Sequence, residues 1–248
     1  MKSVALLIFT FLSFAALGQK MEGEITYEKV SHWSRINDEM TYLSKEEKDR
    51  ASTTWANNDE NKQEMTLLFN DKQSYYSYPK VDELSEGGYS WRKQEFKSYR
   101  NFENEKMTDI IEMLGKVYII EDSLKAPKWK VMNKIKEVAG YMCMMAVTED
   151  TLKKHTITAW FADNIAVSGG PEFYSGLPGM ILELDINNGA VVTTAKVIKL
   201  RPVTEEELAL PKKMKGKKIN NQKYVELIEA HMRDSIKAHR NPYWSMPY

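Results

Sequence analysis

Cysteine is almost absent: Cys143 is the only one in 248 residues. A disulfide framework within the chain is therefore excluded, and a core of ordinary size has to hold the fold. Taken as a packing group, Cys143 is a small buried hydrophobe. An excess of charge is absent too: 35 basic residues face 35 acidic ones, which leaves no overall electrostatic footprint for nucleic acid. G-x-S-x-G, H-E-x-x-H, C-x-x-C and the P-loop are all missing. Ser175 precedes a glycine, but with Tyr174 before it and Leu177 after that glycine it does not form a nucleophile elbow. After the first twenty residues no apolar run approaches the ~18 residues of a membrane-spanning helix. These absences favour a non-enzymatic role without a cofactor and without a transmembrane segment.

The chain opens MKSVALLIFTFLSFAALGQK, with Lys2 as a positive start, an apolar run from Val4 to Leu17, and small residues Ala16 and Gly18 spaced for a signal peptidase. Residues 1–18 read as a signal peptide cleaved after about Gly18, and 19–248 as a single exported β-rich domain, periplasmic or secreted. GEITYEKV (23–30), two runs within 64–79, the aromatic and charged stretch Tyr89–Phe102 and KVYIIED (116–122) have strand character. YMCMMAVTED (141–150) and HTITAWFAD (155–163) read as neighbouring strands. The first is apolar on both faces, which predicts a central, covered position. Ser44 and Glu47 form a capping-box pattern for a short helix, and 57–63 is a loop by composition. Tyr224, Leu227, Ile228, His231, Met232 and Ile236 recur at helical spacing within about 221–239, an amphipathic helix. KKMKGKK (212–218), five lysines in seven residues, reads as a solvated loop.

GGPEFYSGLPGMILELDINNG (169–189) concentrates the backbone punctuation. Pro178 and Gly179 suit the two central positions of a type II turn. Asn188-Gly189 predicts a two-residue hairpin turn that sets Ile186 opposite Val191, Leu184 opposite Thr193, Leu182 opposite Ala195 and Met180 opposite Val197, with Lys196 in diagonal reach of Glu183. The preceding loop, 164–176, is long enough to be either functional or a structural plug. Its candidate ligand-binding or anchoring residues are Glu172, Phe173, Tyr174, Leu177, Pro178 and Gly179. Cys143, Met145 and His155 are residue types that suit Cu(I), although alternation lets only Cys143 and Met145 share a side.

Gly176-Leu177-Pro178-Gly179-Met180-Ile181, with Gly170-Pro171, Ala139-Gly140-Tyr141-x-Cys143 and Ala159-Trp160-Phe161 before it, resembles the GLPGLI family of exported Bacteroidetes proteins. Met180 replaces the second leucine of the namesake motif, a volume-conserving change. The resemblance implies an exported, mainly β protein, associated with TonB-dependent outer-membrane receptors and without assigned catalytic residues. The fold expected is mainly β (α+β): one large curved antiparallel sheet, similar to the open half-barrels of periplasmic lipoprotein carriers, with a C-terminal amphipathic helix. A binding or accessory component beside an outer-membrane receptor is the first functional reading. A carrier of a small apolar ligand and a Cu(I)-binding protein are the alternatives.

Overall fold

Twelve strands make one mixed sheet in the computed structural model, which describes residues 21–55, 59–79 and 94–248. They are β1 (Gly23–His32), β2 (Glu60–Phe69), β3 (Gln73–Ser77), β4 (Phe96–Asn101), β5 (Lys106–Met113), β6 (Lys116–Ser123), β7 (Lys130–Val138), β8 (Tyr141–Asp150), β9 (His155–Ala162), β10 (Met180–Ile186), β11 (Val191–Leu200) and β12 (Lys217–Ile219). The helices are α1 (Trp33–Asp38), α2 (Lys45–Trp55), α3 (Glu205–Leu208) and α4 (Asn221–Lys237), with a 3₁₀ turn at Pro242–Trp244.

Strand order is β12-β6-β5-β4-β3-β2-β1-β11-β10-β9-β8-β7. Two antiparallel meanders, β1 to β6 and β7 to β11, are thus sewn together by β1 against β11, from Gly23–Leu200 to Ser31–Val191. The sheet has edges at β12 and β7 and does not close into a barrel. Bulges bend it. Register shifts at Thr26/Tyr27, at Ile181/Glu183 and at Met132/Ile135 each leave residues of one strand unpaired, which increases local twist.

Alternation sets the main core. Ile25 and Tyr27 of β1, Met65, Leu67 and Phe69 of β2, Ile111 of β5 and Ile120 of β6 belong to one buried cluster, and Ile228 of α4 packs into it. A second cluster joins Ile36 of α1 to Ile157, Ala159 and Phe161 of β9 and to Ile181, Leu184 and Ile186 of β10. The α2 capping box is present, with Ser44 Oγ accepting from Glu47 N–H at 3.2 Å and Glu47 accepting from Ser44 N–H at 2.7 Å. Asn220 caps α4 by accepting from Lys223 N–H at 2.9 Å. Among the described residues no helix is long and apolar enough to cross a membrane.

Several expectations change. The sheet is antiparallel except at one edge, where Lys217–Ile219 pairs in parallel with Tyr118–Ile120; the lysine-rich run therefore supplies an edge strand, with Lys218 on Glu121 at 3.2 Å. Lysines on an exposed edge discourage further strand addition. β8 is not central. It lies one strand in from the β7 edge, and Met142 is 53% exposed, because β7 is short of cover and little packs over it. Residues 60–63 belong to β2, since pairing with β1 continues out to His32–Glu60 and overrides their polar composition. The expected signal peptide, residues 57–58 and the start of the Tyr89–Phe102 run lie outside the described residues.

Candidate functional site

The loop between β9 and β10 lies across the sheet. Its own Ile165, Val167 and Leu177 are buried, and its backbone is tied down by Met180 N–H to Ile165 O (3.0 Å), Ile181 N–H to Gly169 O (3.0 Å) and Gly176 N–H to Ser168 O (2.9 Å). Trp129 Nε1 donates to Ser175 O at 2.9 Å and clasps the outer end. The Pro-Gly corner is tighter than the expected type II turn: Gly179 N–H closes on Leu177 O at 2.8 Å, a three-residue turn around Pro178, and Met180 N–H goes to Ile165 instead. Glycine is required at 179 by crowding, since a Cβ there would stand 2.3 Å from Ala162 O. At 176 both reasons apply, with φ +92° and a Cβ that would meet the Ala126 Cβ at 2.3 Å.

Within that loop Glu172 turns inward at φ +58° and is 5% exposed. Its carboxylate meets Lys29 Nζ at 2.8 Å and accepts from Tyr76 OH at 3.3 Å and Thr193 Oγ1 at 3.4 Å. Burial, and then the nearby Glu172 charge, raise the Tyr76 phenol well above its usual range, so it stays protonated and donates. Phe173 packs on Phe96 with ring centres 5.3 Å apart, while Tyr174 meets the Trp129 ring edgewise at 6.2 Å. Glu172 and Leu177 are thus buried and Phe173 half-buried, whereas Pro178 is exposed. Lys29, Tyr76 and Thr193 all converge on the same oxygen of the acid, Oε1, which makes Glu172 a latch for the loop.

Beside the latch is a cavity of about 790 Å³, lined by Lys29, Trp33, Gln63, Tyr78, Phe96 and Trp244 among others. Residues 242–248 separate it from a second cavity of about 320 Å³, since Tyr243 and Tyr248 line both. His155 holds this segment: its Nε2 is 2.9 Å from Tyr243 OH, and its ring stacks on Tyr248 at 4.2 Å. Burial, reinforced by the Lys153 charge, pushes the imidazole down to about 3, so the ring is neutral near pH 7. Lys153 Nζ donates to Pro247 O at 2.9 Å, and burial lowers that ammonium to about 8. A third cavity, of about 240 Å³, holds the buried pair Arg100–Asp109, which is bidentate at 2.6 and 3.2 Å.

The suggested copper ligands are not brought together. Asp150 pairs with His155 and Met144 with Phe161, so Cys143 and His155 stand about seven residues apart along the strands, roughly 20 Å. The Cys143 thiol donates to Tyr141 O at 3.5 Å, and burial raises it to about 11. Among the described residues no three His, Cys, Asp or Glu side chains are grouped to hold a metal.

Lys29, Arg100, Asp109 and Lys153 belong to no motif in the sequence. The available signal was parity: Lys29 shares a strand face with Ile25 and Tyr27, Asp109 with Ile111 and Met113, and His155 with Ile157, Ala159 and Phe161. A charged or polar group in the inward register of a buried face has to find an internal partner.

The stretch that carries Lys153, His155 and Glu172 also carries the family likeness. Residues 147–183 match a Bacteroidetes-associated family described as a protein of unknown function (Porph_ging). The matched residues run from the end of β8 through β9 and the loop into β10. No curated protein matches the chain. Among solved structures, PNGF-II in two crystal forms, P21 and C2, aligns with a TM-score of 0.54 in each case, at 16% and 17% identity. The alignments cover 84% of this chain and 33% and 32% of PNGF-II, so this chain spans about a third of that protein. The likeness at this identity is one of fold.

Proposed function

We propose that the protein is an exported, non-enzymatic binding component of the cell envelope, of the GLPGLI type, working beside a TonB-dependent outer-membrane receptor. The observation that carries the binding role is the cavity of about 790 Å³ that the curved sheet leaves open beside the latched loop. Its size lies within the ~300–1,000 Å³ range of small-molecule sites, and its lining mixes aromatic rings with amide and charged groups, as such sites do. Glu172 is neutralised within the fold, so the loop contributes shape and leaves recognition to the cavity. The export and receptor parts are supported by the apolar N-terminal run and by the GLPGMI resemblance.

A photo-crosslinking residue placed at Trp244, on the cavity wall and 64% exposed, tests the receptor association in the native organism. The expected product is a covalent adduct with an outer-membrane receptor, formed by protein that has lost residues 1–18. Cytoplasmic protein with an intact N-terminus, or adducts that contain no outer-membrane protein, would contradict it.

A further inference from the structure

The cavity of about 320 Å³ has two unlike ends. Ile36, Met40, Met232 and Ile236 make an apolar wall between α1 and α4, whereas Lys153 and Tyr248 supply polar hydrogen. Lys153 is 7% exposed. An ammonium has three donors, and the acceptor it finds here is a neutral backbone carbonyl, Pro247 O at 2.9 Å. Among the described residues no carboxylate comes within the 4.0 Å of an ion pair with it. Buried cations are ordinarily paired directly, whereas Asp150 and Glu172 act on this one only from beyond that distance, so it lacks a directly bonded carboxylate. Tyr248 OH accepts from Asn187 Nδ2 at 2.7 Å, which leaves its own hydrogen to donate. The charged rim cancels, since Lys154 and Arg233 face Glu39 and Glu229, and Lys153 sets the sign of the site. His155, uncharged beside it, adds no competing cation.

We infer that this cavity binds an amphiphilic carboxylic acid, an alkyl carboxylate of medium length, with its carboxylate on Lys153 and the Tyr248 hydroxyl and its chain against Ile36, Met40, Met232 and Ile236. Two charge-assisted hydrogen bonds supply the directly bonded carboxylate that Lys153 lacks, and the chain removes apolar wall from water. The inference rests on the binding role proposed above and names a ligand class in a different cavity.

Calorimetric titration of the purified protein with octanoate and with octanol tests it. Octanoate is expected to bind at least about tenfold more tightly than octanol, because only the acid offers a charged acceptor. Lys153→Met is expected to lower octanoate affinity by about tenfold or more and to leave octanol unchanged. Ile236→Trp gives an independent reading should that variant fail to fold. The position is 43% exposed on the cavity wall, so the larger ring is expected to obstruct the chain and weaken octanoate binding at an unchanged thermal midpoint. Equal affinities for the acid and the alcohol, no binding of octanoate, or octanoate affinity untouched by either variant would overturn the inference. Failure here leaves the receptor crosslink at Trp244 unaffected, so the two readings fall separately.

Discussion

Arg100→Met is expected to cost the fold about 3–5 kcal/mol, because it strands a carboxylate that is already out of water. Asp109 is 2% exposed and Arg100 6%, and the guanidinium grips both carboxylate oxygens while also donating to Tyr99 O at 2.9 Å. Removing one partner leaves the desolvation cost of the other without its compensation. Removing both is different: Arg100→Met with Asp109→Leu replaces the pair by apolar groups of similar volume and is expected to restore most of the loss. Urea unfolding at neutral pH measures both variants. A single variant within about 1 kcal/mol of the parent would mean that the pair behaves as a solvated one.

The second large effect is a dependence on acid. The folded His155 ring takes up its proton only at about 3, whereas an unfolded imidazole does so near its ordinary value of about 6.5. Between those two values the unfolded chain binds a proton that the folded one does not, so stability rises with pH across the interval and is lost as pH falls below about 6.5. The limiting slope for one such group is about 1.4 kcal/mol per pH unit, which gives a loss of roughly 2 kcal/mol between pH 6.5 and 5. His155→Phe keeps a ring against Tyr248 but removes the titration and the bond to Tyr243 OH. It is expected to be the less stable protein at pH 7.5 and to close much of that gap by pH 5. Parallel stability curves for the two proteins over this range would show that the buried ring is not the acid-sensitive group.

Local patterning carried most of the elements. The hairpin register is legible in residues 183–194, where Ile186–Val191 and Leu184–Thr193 pair as expected, but the turn is wider than two residues: Asn187, Asn188 and Gly189 all have positive φ, and Ala190 N–H is shared between Ile186 O at 3.1 Å and Asn187 O at 3.3 Å. Further from the turn the prediction fails. The β10–β11 ladder runs from Ile186 to Glu183, Leu182 is bulged relative to β9, and Lys196 turns to Glu28 at 2.8 Å while Glu183 takes Lys136. A bulge depends on the neighbouring strand, and the neighbour of β11 is β1, some 170 residues away in sequence terms that no short window contains. β5 has no clear strand signature because Asp109 and Glu112 interrupt its apolar run, and Asp109 is accommodated by Arg100 across the β4–β5 pair.

The candidate site was legible in part for the same reason. Glu172, Phe173 and Leu177 stand out in a punctuated loop, and the structure seats all three against the sheet. Their partners do not stand out: Lys29 reads as an ordinary surface lysine until β1 is placed at the centre of the sheet, where its face is covered. Lys153 lies in a polar turn between β8 and β9, and its burial, with a bond to Pro247 O, depends on segments distant in sequence. The glycines of GLPGM serve a positive φ against Ala126 at 176 and close approach to the Ala162 backbone at 179, so the motif marks how the loop is folded down.

Ligand binding is tested most directly by the native mass of the protein isolated from the cells that make it, under non-denaturing conditions. The expected spectrum contains a species heavier than the denatured polypeptide by one small molecule, which is lost when the protein is denatured. The bare polypeptide mass alone, recorded under conditions in which an added octanoate complex survives, would contradict a binding role.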